Sequence, residues 1–163
     1  MGGVVSRVML TLPNYLDDPV NTIITLAAPH AAAPATFDGD LLNVFASTDE
    51  FWRNGYIQPP KTPLQLLANK RLQNVSLISI TGGLLDNMLP ADYTSLIGLI
   101  PASNGFSIST TGIPGVWTPI DHLAIVWCDQ LRKKLAEVLL LIVDKTSTSQ
   151  TYSLENRMER VLV

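Results

Sequence analysis

Asp86 and His122 are the residues whose type and setting could do acid–base chemistry. Asp86 lies in Thr81-Gly82-Gly83-Leu84-Leu85-Asp86-Asn87-Met88-Leu89-Pro90, just after the β-type run Val75-Ser76-Leu77-Ile78-Ser79-Ile80. That order predicts a carboxylate on a Gly-rich turn at the C-terminal end of a strand. His122 ends Trp117-Thr118-Pro119-Ile120-Asp121-His122, at the mouth of a long helical pattern. A carboxylate on one loop can accept a hydrogen bond from a histidine on a later loop, fix its tautomer and stabilise the imidazolium. The histidine can then serve as a general base near neutral pH. Each residue also has a plainer reading. Asp86 could simply form a turn beside Gly82-Gly83, and His122 could be a capping or surface histidine. Distance separates the readings: the chemical one requires the two side chains to meet.

The other polar candidates are weaker. His30, in Ala28-Pro29-His30-Ala31 after an earlier strand, falls at the same rim of the sheet and reads first as loop structure. Asp121 is better placed to cap the following helix than to orient its neighbour's ring. A nucleophilic serine needs a strained strand-to-helix turn with a backbone N–H behind it. Ser6 falls inside a helical pattern, and Ser76, Ser79, Ser107 and Ser109 fall in strands. None has Gly-x-Ser-x-Gly flanks, so all read as structural. Glu50, Asp38 and Asp40 have no His or Cys at ligand spacing, so neither a metal nor another cofactor is called for.

Composition sets the frame around these residues. With 163 residues, 47% hydrophobic and 15% charged, the chain is long and apolar enough for a dense core. A formal net charge of −3 and the lack of a basic run argue against nucleic acid as a partner. The single cysteine, Cys128, excludes an intrachain disulfide. The N-terminus has no signal-peptide pattern. The longest apolar run, Val138–Val143, is far short of the about 20 residues that span a bilayer.

The elements that must position the candidates follow from periodicity. Gly2 to Leu12 predicts a helix closed by Pro13-Asn14, and Asn21 to Ala27 a buried strand. Ala31 to Asp40 reads as loop, Leu41 to Arg53 as helix, and Gly55 to Pro63 as a Pro-rich surface segment. Val75 to Ile80 and Phe106 to Thr110 are the second and third strands, with a helical turn within Ala91 to Ile100. Leu123 to Val143 predicts the best helix, its buried face made by Ile125, Trp127, Leu131, Leu135, Val138, Leu139 and Ile142. Asp144 to Val163 reads as a polar tail ending in a short charged helix. Strands alternating with helices predict an α/β layer with a parallel sheet. Three strands are few for such a sheet, and no repeat or linker marks a second domain.

Met1-Gly2-Gly3-Val4-Val5-Ser6-Arg7, Asn21-Thr22-Ile23-Ile24-Thr25-Leu26, Ala28-Pro29-His30-Ala31, Phe37-Asp38-Gly39-Asp40, Gly82-Gly83-Leu84-Leu85-Asp86, Ala91-Asp92-Tyr93 and Val116 through Gln130 form a set of stretches that can be read together. Together they resemble the GPI inositol-deacylase family, a lipase-like branch of the α/β-hydrolases. The run from Asp121-His122 to Trp127-Cys128-Asp129-Gln130 is the most specific of these, and the resemblance extends from Met1 to about Val143. It implies that residues 1–143 are the C-terminal portion of an α/β-hydrolase domain, about three parallel strands with flanking helices, and that 144–163 is a polar tail. Such domains order their triad Ser, Asp, His along the chain.

The resemblance also implies a reaction, the removal of the acyl chain from the inositol of GPI-anchored proteins in the endoplasmic reticulum membrane. In that reading the serine stands immediately before Met1, in a Gly-x-Ser-Met-Gly-Gly elbow. Met1 gives an oxyanion-hole N–H, His122 takes the serine proton, and Asp86 orients His122. The expectation is a chain that hydrolyses no ester alone and whose strand at Ile23 lacks its neighbour. The alternative is a non-catalytic fragment or pseudoenzyme acting as a binding module.

Overall fold

The computed structural model describes residues 1–16 and 19–162. Its centre is a three-stranded parallel sheet of β1 (Thr22–Leu26), β2 (Ser76–Thr81) and β3 (Gly105–Ser109), in the order β1-β2-β3. The register aligns Ile24 with Ile78 and Ile78 with Phe106. β2 is buried along its whole length, as the central strand of a sheet covered on both faces must be. The β-branched run Ile23-Ile24-Thr25 and the continuous apolar run of β2 explain why these segments are strands. Parallel strands need crossovers; that from β1 to β2 is made by two α-helices, and that from β2 to β3 by a longer loop holding short 3₁₀ turns at Gly83–Leu85 and Ala91–Thr94.

The α-helices are α1 (Gly2–Met9), before the sheet, α2 (Gly39–Asn54) and α3 (Pro63–Leu72), between β1 and β2, and α4 (Asp129–Leu141) and α5 (Leu154–Leu162), after β3. α2 starts where Asp38 accepts hydrogen bonds from the N–H groups of Asp40 and Leu41. α3 starts on a reciprocal cap, in which Thr62 and Gln65 bond each other's backbone, with Pro63 at the first position. Successive strand residues face opposite ways, and the core splits accordingly. Ile23 and Leu77 pack with Leu10, Phe51, Trp52, Ala68 and Leu72 under α2 and α3. Ile78 and Ile80 pack with Leu89, Ile113, Val116, Ile120, Ile125 and Leu131 under α4 and the loops that follow β2 and β3.

Three arginines tie loops to this frame. Arg7 is fully buried, pairs with Asp49 at 2.5 Å, lies over the Trp52 ring and donates to the carbonyl of His30. Arg71 donates to the carbonyls of Leu10 and Leu12. Arg157, on α5, donates to the carbonyls of Tyr152, Asn21 and Asn74. The segment after Val143 is therefore docked against the body: Thr151 bridges Val143 and accepts from the Asn21 amide. Its last residue, Val163, lies outside the described residues.

Two expectations need correction. Leu123 to Val143 is not one helix. Asp121 caps a short 3₁₀ turn at Ala124–Val126, Cys128 is extended at ψ 117, and α4 begins only at Asp129. Trp127 and Leu139, expected in the buried face, are 65% and 50% exposed. The apolar residues keep helical spacing in the sequence across the break, and that spacing does not register that the backbone leaves helical geometry at Cys128. α3 was not expected at all, although Thr62-Pro63-Leu64-Gln65 carries its start signal.

Candidate active site

The loops that leave the C-terminal ends of β2 and β3 meet, and the meeting is made by glycine. After Thr81 the chain turns through Gly82 and Gly83, the latter at φ +76, into a 3₁₀ turn that delivers Asp86. The carbonyl of Gly82 accepts from the N–H of Ile120 at 2.8 Å and from the Thr110 hydroxyl at 3.3 Å. A Cβ on Gly82 would stand 2.0 Å from the Ile120 carbonyl oxygen, so only glycine permits this approach. Ile120 is buried in the core and lies two residues before His122. Anchoring Ile120 to Gly82 therefore brings His122 to Asp86.

Nδ1 of His122 lies 3.0 Å from Oδ1 and 2.9 Å from Oδ2 of Asp86. The Asp86 side chain is fully buried and that of His122 is 27% exposed. Oδ1 also accepts from the backbone N–H groups of Met88 and Leu89, at 3.2 and 2.8 Å. These bonds hold the carboxylate in one orientation without help from the ring. A carboxylate only accepts, so the shared proton is carried by Nδ1 and the lone pair of neutral His122 lies on Nε2. Among the described residues nothing hydrogen-bonds Nε2. The pair therefore presents a base, oriented from behind, at the carboxyl edge of the sheet. Trp117 occupies the left-handed region at φ +50, at a cost of about 1–2 kcal/mol for a residue with a side chain.

The remaining candidates are distributed differently. Asp121 accepts from the N–H groups of Leu123 and Ala124, which is capping. His30 is buried, its Nε2 2.9 Å from the Thr25 hydroxyl and its Nδ1 without a partner. Burial lowers its pKa to about 3, aided by the nearby Arg7, so it is neutral and structural rather than a base. Ser6 donates to the carbonyl of Gly3, Ser79 and Ser107 to that of Thr94, and Ser76 to that of Asn21. Ser109 caps the turn after β3. None bonds His122. Met1 caps the N-terminus of α1, and Gly3 approaches Thr25 and Ala28 at the end of β1, so Met1 stands at the carboxyl edge of the sheet. Sequence reasoning missed Gly82 as the clasp. Its doubled glycine was visible, but which of the two meets another backbone was not.

Helices on both faces of a parallel sheet, with the Asp86 and His122 loops at its carboxyl edge, make an α/β layer of the kind found in part of an α/β-hydrolase fold. The comparison with known proteins is more particular. The chain belongs to the PGAP1-like alpha/beta domain family, which it matches over residues 1–142. It is 61% identical over 160 residues to a GPI inositol-deacylase of Debaryomyces hansenii, an alignment covering 98% of this chain and 16% of that protein. Similar proteins of the same name occur in Eremothecium gossypii, 56% identical over 158 residues, and Kluyveromyces lactis, 51% identical over 160. These alignments cover 97% and 98% of this chain and 15% and 16% of the relatives, so the chain spans only a small part of their length.

Proposed function

We propose that this chain supplies the histidine and carboxylate of a serine ester hydrolase that removes the acyl chain from the inositol of GPI anchors. The observation that carries the proposal is the Asp86–His122 hydrogen bond, present in a chain 61% identical over 160 residues to a protein named GPI inositol-deacylase. The serine is expected just before Met1, as the family resemblance implies. Nε2 of His122 takes its proton as the hydroxyl oxygen attacks the acyl carbonyl. Asp86 stabilises the imidazolium, which then protonates the departing inositol oxygen. In the second half, His122 takes a proton from water as its oxygen attacks the acyl-serine carbonyl, and the imidazolium returns that proton to the serine oxygen as the fatty acid leaves. The N–H of Met1, at the N-terminus of α1, is the oxyanion donor in this reading. Its substrates are GPI-anchored proteins with acylated inositol, and its compartment is the endoplasmic reticulum membrane. No helix among the described residues is long and apolar enough to cross a membrane, so membrane attachment in this reading belongs to other parts of a longer protein.

The test is fatty-acid release from inositol-acylated anchors by the longer protein. Asp86→Asn and His122→Ala should each lower turnover by about 10⁴-fold or more, with substrate affinity little changed. Activity that survives both substitutions removes the pair from the mechanism.

A further inference from the structure

We propose that Asn74 is an N-glycosylation site. Asn74-Val75-Ser76 is the one Asn-x-Ser/Thr stretch in the sequence, and its middle residue is not proline. Asn74 is exposed in the turn between α3 and β2, and its side-chain amide makes no hydrogen bond among the described residues. The backbone of the turn is fixed on both sides of it. Val75 donates to the carbonyl of Leu72, and Arg157 donates to the carbonyl of Asn74 itself. The amide is thus left facing an open cleft lined by Asn21, Gln73, Thr148 and Ser149, a polar surface suited to a sugar. Asn74 precedes the N-terminal end of β2, whereas Asp86 follows its C-terminal end. A glycan on Asn74 therefore leaves the carboxyl edge of the sheet open.

The step is a group transfer. Nδ2 of Asn74 loses a proton and bonds the anomeric carbon of an oligosaccharide carried on a lipid pyrophosphate. The bond from that carbon to the pyrophosphate oxygen breaks, and the lipid pyrophosphate leaves. Timing follows from Ser76. It is buried in the folded chain, and its hydroxyl lies 3.3 Å from the Asn21 carbonyl and 3.2 Å from the Thr22 hydroxyl. An enzyme that must read the serine hydroxyl can do so only before β2 joins the sheet, so transfer precedes folding.

The proposal rests on the functional reading in one respect, the endoplasmic reticulum, and adds that this chain faces the lumen, where the donor is used. The test therefore begins by imposing the compartment. The full chain is secreted from yeast behind a cleavable signal and treated with endoglycosidase H. One enzyme-sensitive glycan per chain is expected, lost in Asn74→Gln and in Ser76→Ala and retained in Ser76→Thr. An unshifted wild-type chain, or a glycan that persists in Asn74→Gln, overturns the proposal. Peptide mapping of the native protein, deglycosylated in heavy-oxygen water, should find Asn74 converted to labelled aspartate. An unlabelled Asn74 there also overturns it. If the secreted chain is nevertheless occupied, the fault lies with the compartment of the functional reading; if both are vacant, it lies with the acceptor.

Discussion

The two faces of the sheet are not equivalent. Under α2 and α3 the core is closed: Trp52, Leu72 and Leu77 are fully buried, the Trp52 indole donates to the carbonyl of Arg7, and Arg7 is itself neutralised by Asp49. Under α4 a cavity of about 230 Å³ remains between Ile24, Ile78, Phe106, Leu135 and Val138, and Leu139 and Leu140 are exposed. Yet the anchors of the Asp86 and His122 loops, which are Leu89, Ile113, Val116 and Ile120, all belong to this looser face. The site gains its rigidity less from close packing beneath it than from backbone contact at Gly82 and from the N–H groups that hold Asp86. Stability and site geometry should therefore respond to different substitutions.

The largest expected contrast is between the faces themselves. Trp52→Ala removes a large, fully buried ring and the lid over Arg7, and should cost about 3–5 kcal/mol of unfolding free energy. Leu135→Ala, on a half-buried side chain beside the existing cavity, should cost under about 2 kcal/mol. Urea titrations of the two variants give the comparison directly, and equal losses would erase it.

Acid should attack the closed face. His30 packs against Thr25 there, with its pKa lowered from 6.5 to about 3 by burial. Between those values the unfolded chain binds a proton that the folded chain refuses. The contribution is complete above about pH 6.5 and falls as pH drops toward 3, by about 1.4 kcal/mol per pH unit within the window. Unfolding followed from pH 7 to pH 4 should show this slope, and His30→Gln should flatten it. An unchanged slope in that variant assigns acid sensitivity to other groups.

The substitution with the most local consequence is at the clasp between the two loops. Gly82→Ala should cost about 1–3 kcal/mol, because the loop bearing Ile120 can yield by moving outward. That movement takes His122 off Asp86. With only two histidines in the chain, nitrogen NMR of the imidazoles can follow it. Wild-type His122 should show the Nδ1–H tautomer, and the variant a mixture weighted to Nε2–H. A variant that retains the wild-type tautomer would deny Gly82 its positioning role.

Much of the scaffold was legible in the sequence. The β-branched run at Ile23-Ile24, the apolar run of β2 and the alternation of β3 each specify a strand by local preference, and parallel pairing is possible because each connection between them is long enough to cross over, by α2 and α3 in one case and by a loop with 3₁₀ turns in the other. The helix at α2 was legible for the same reason. What failed was local punctuation. The start signal at Thr62-Pro63 was passed over, and the extended residue at Cys128 interrupts a pattern whose hydrophobic period does not change.

The residues of the candidate pair were also legible, since a carboxylate after a strand and a histidine after a later one are visible as types and order. Their meeting was not. Asp86 and His122 are separated by β3 and its loops, and which residues approach across that distance depends on sheet register, on a glycine with no Cβ to obstruct Ile120, and on a carboxylate already fixed by Met88 and Leu89. His30 makes the same point in reverse. By type it was a candidate beside the site; burial against Thr25 and under Arg7 left it neutral and structural. Sequence determined the chemical groups and the elements that carry them, because both are local properties. Tertiary structure decided which histidine has a carboxylate behind it, because desolvation and hydrogen bonding depend on neighbours brought from elsewhere in the chain.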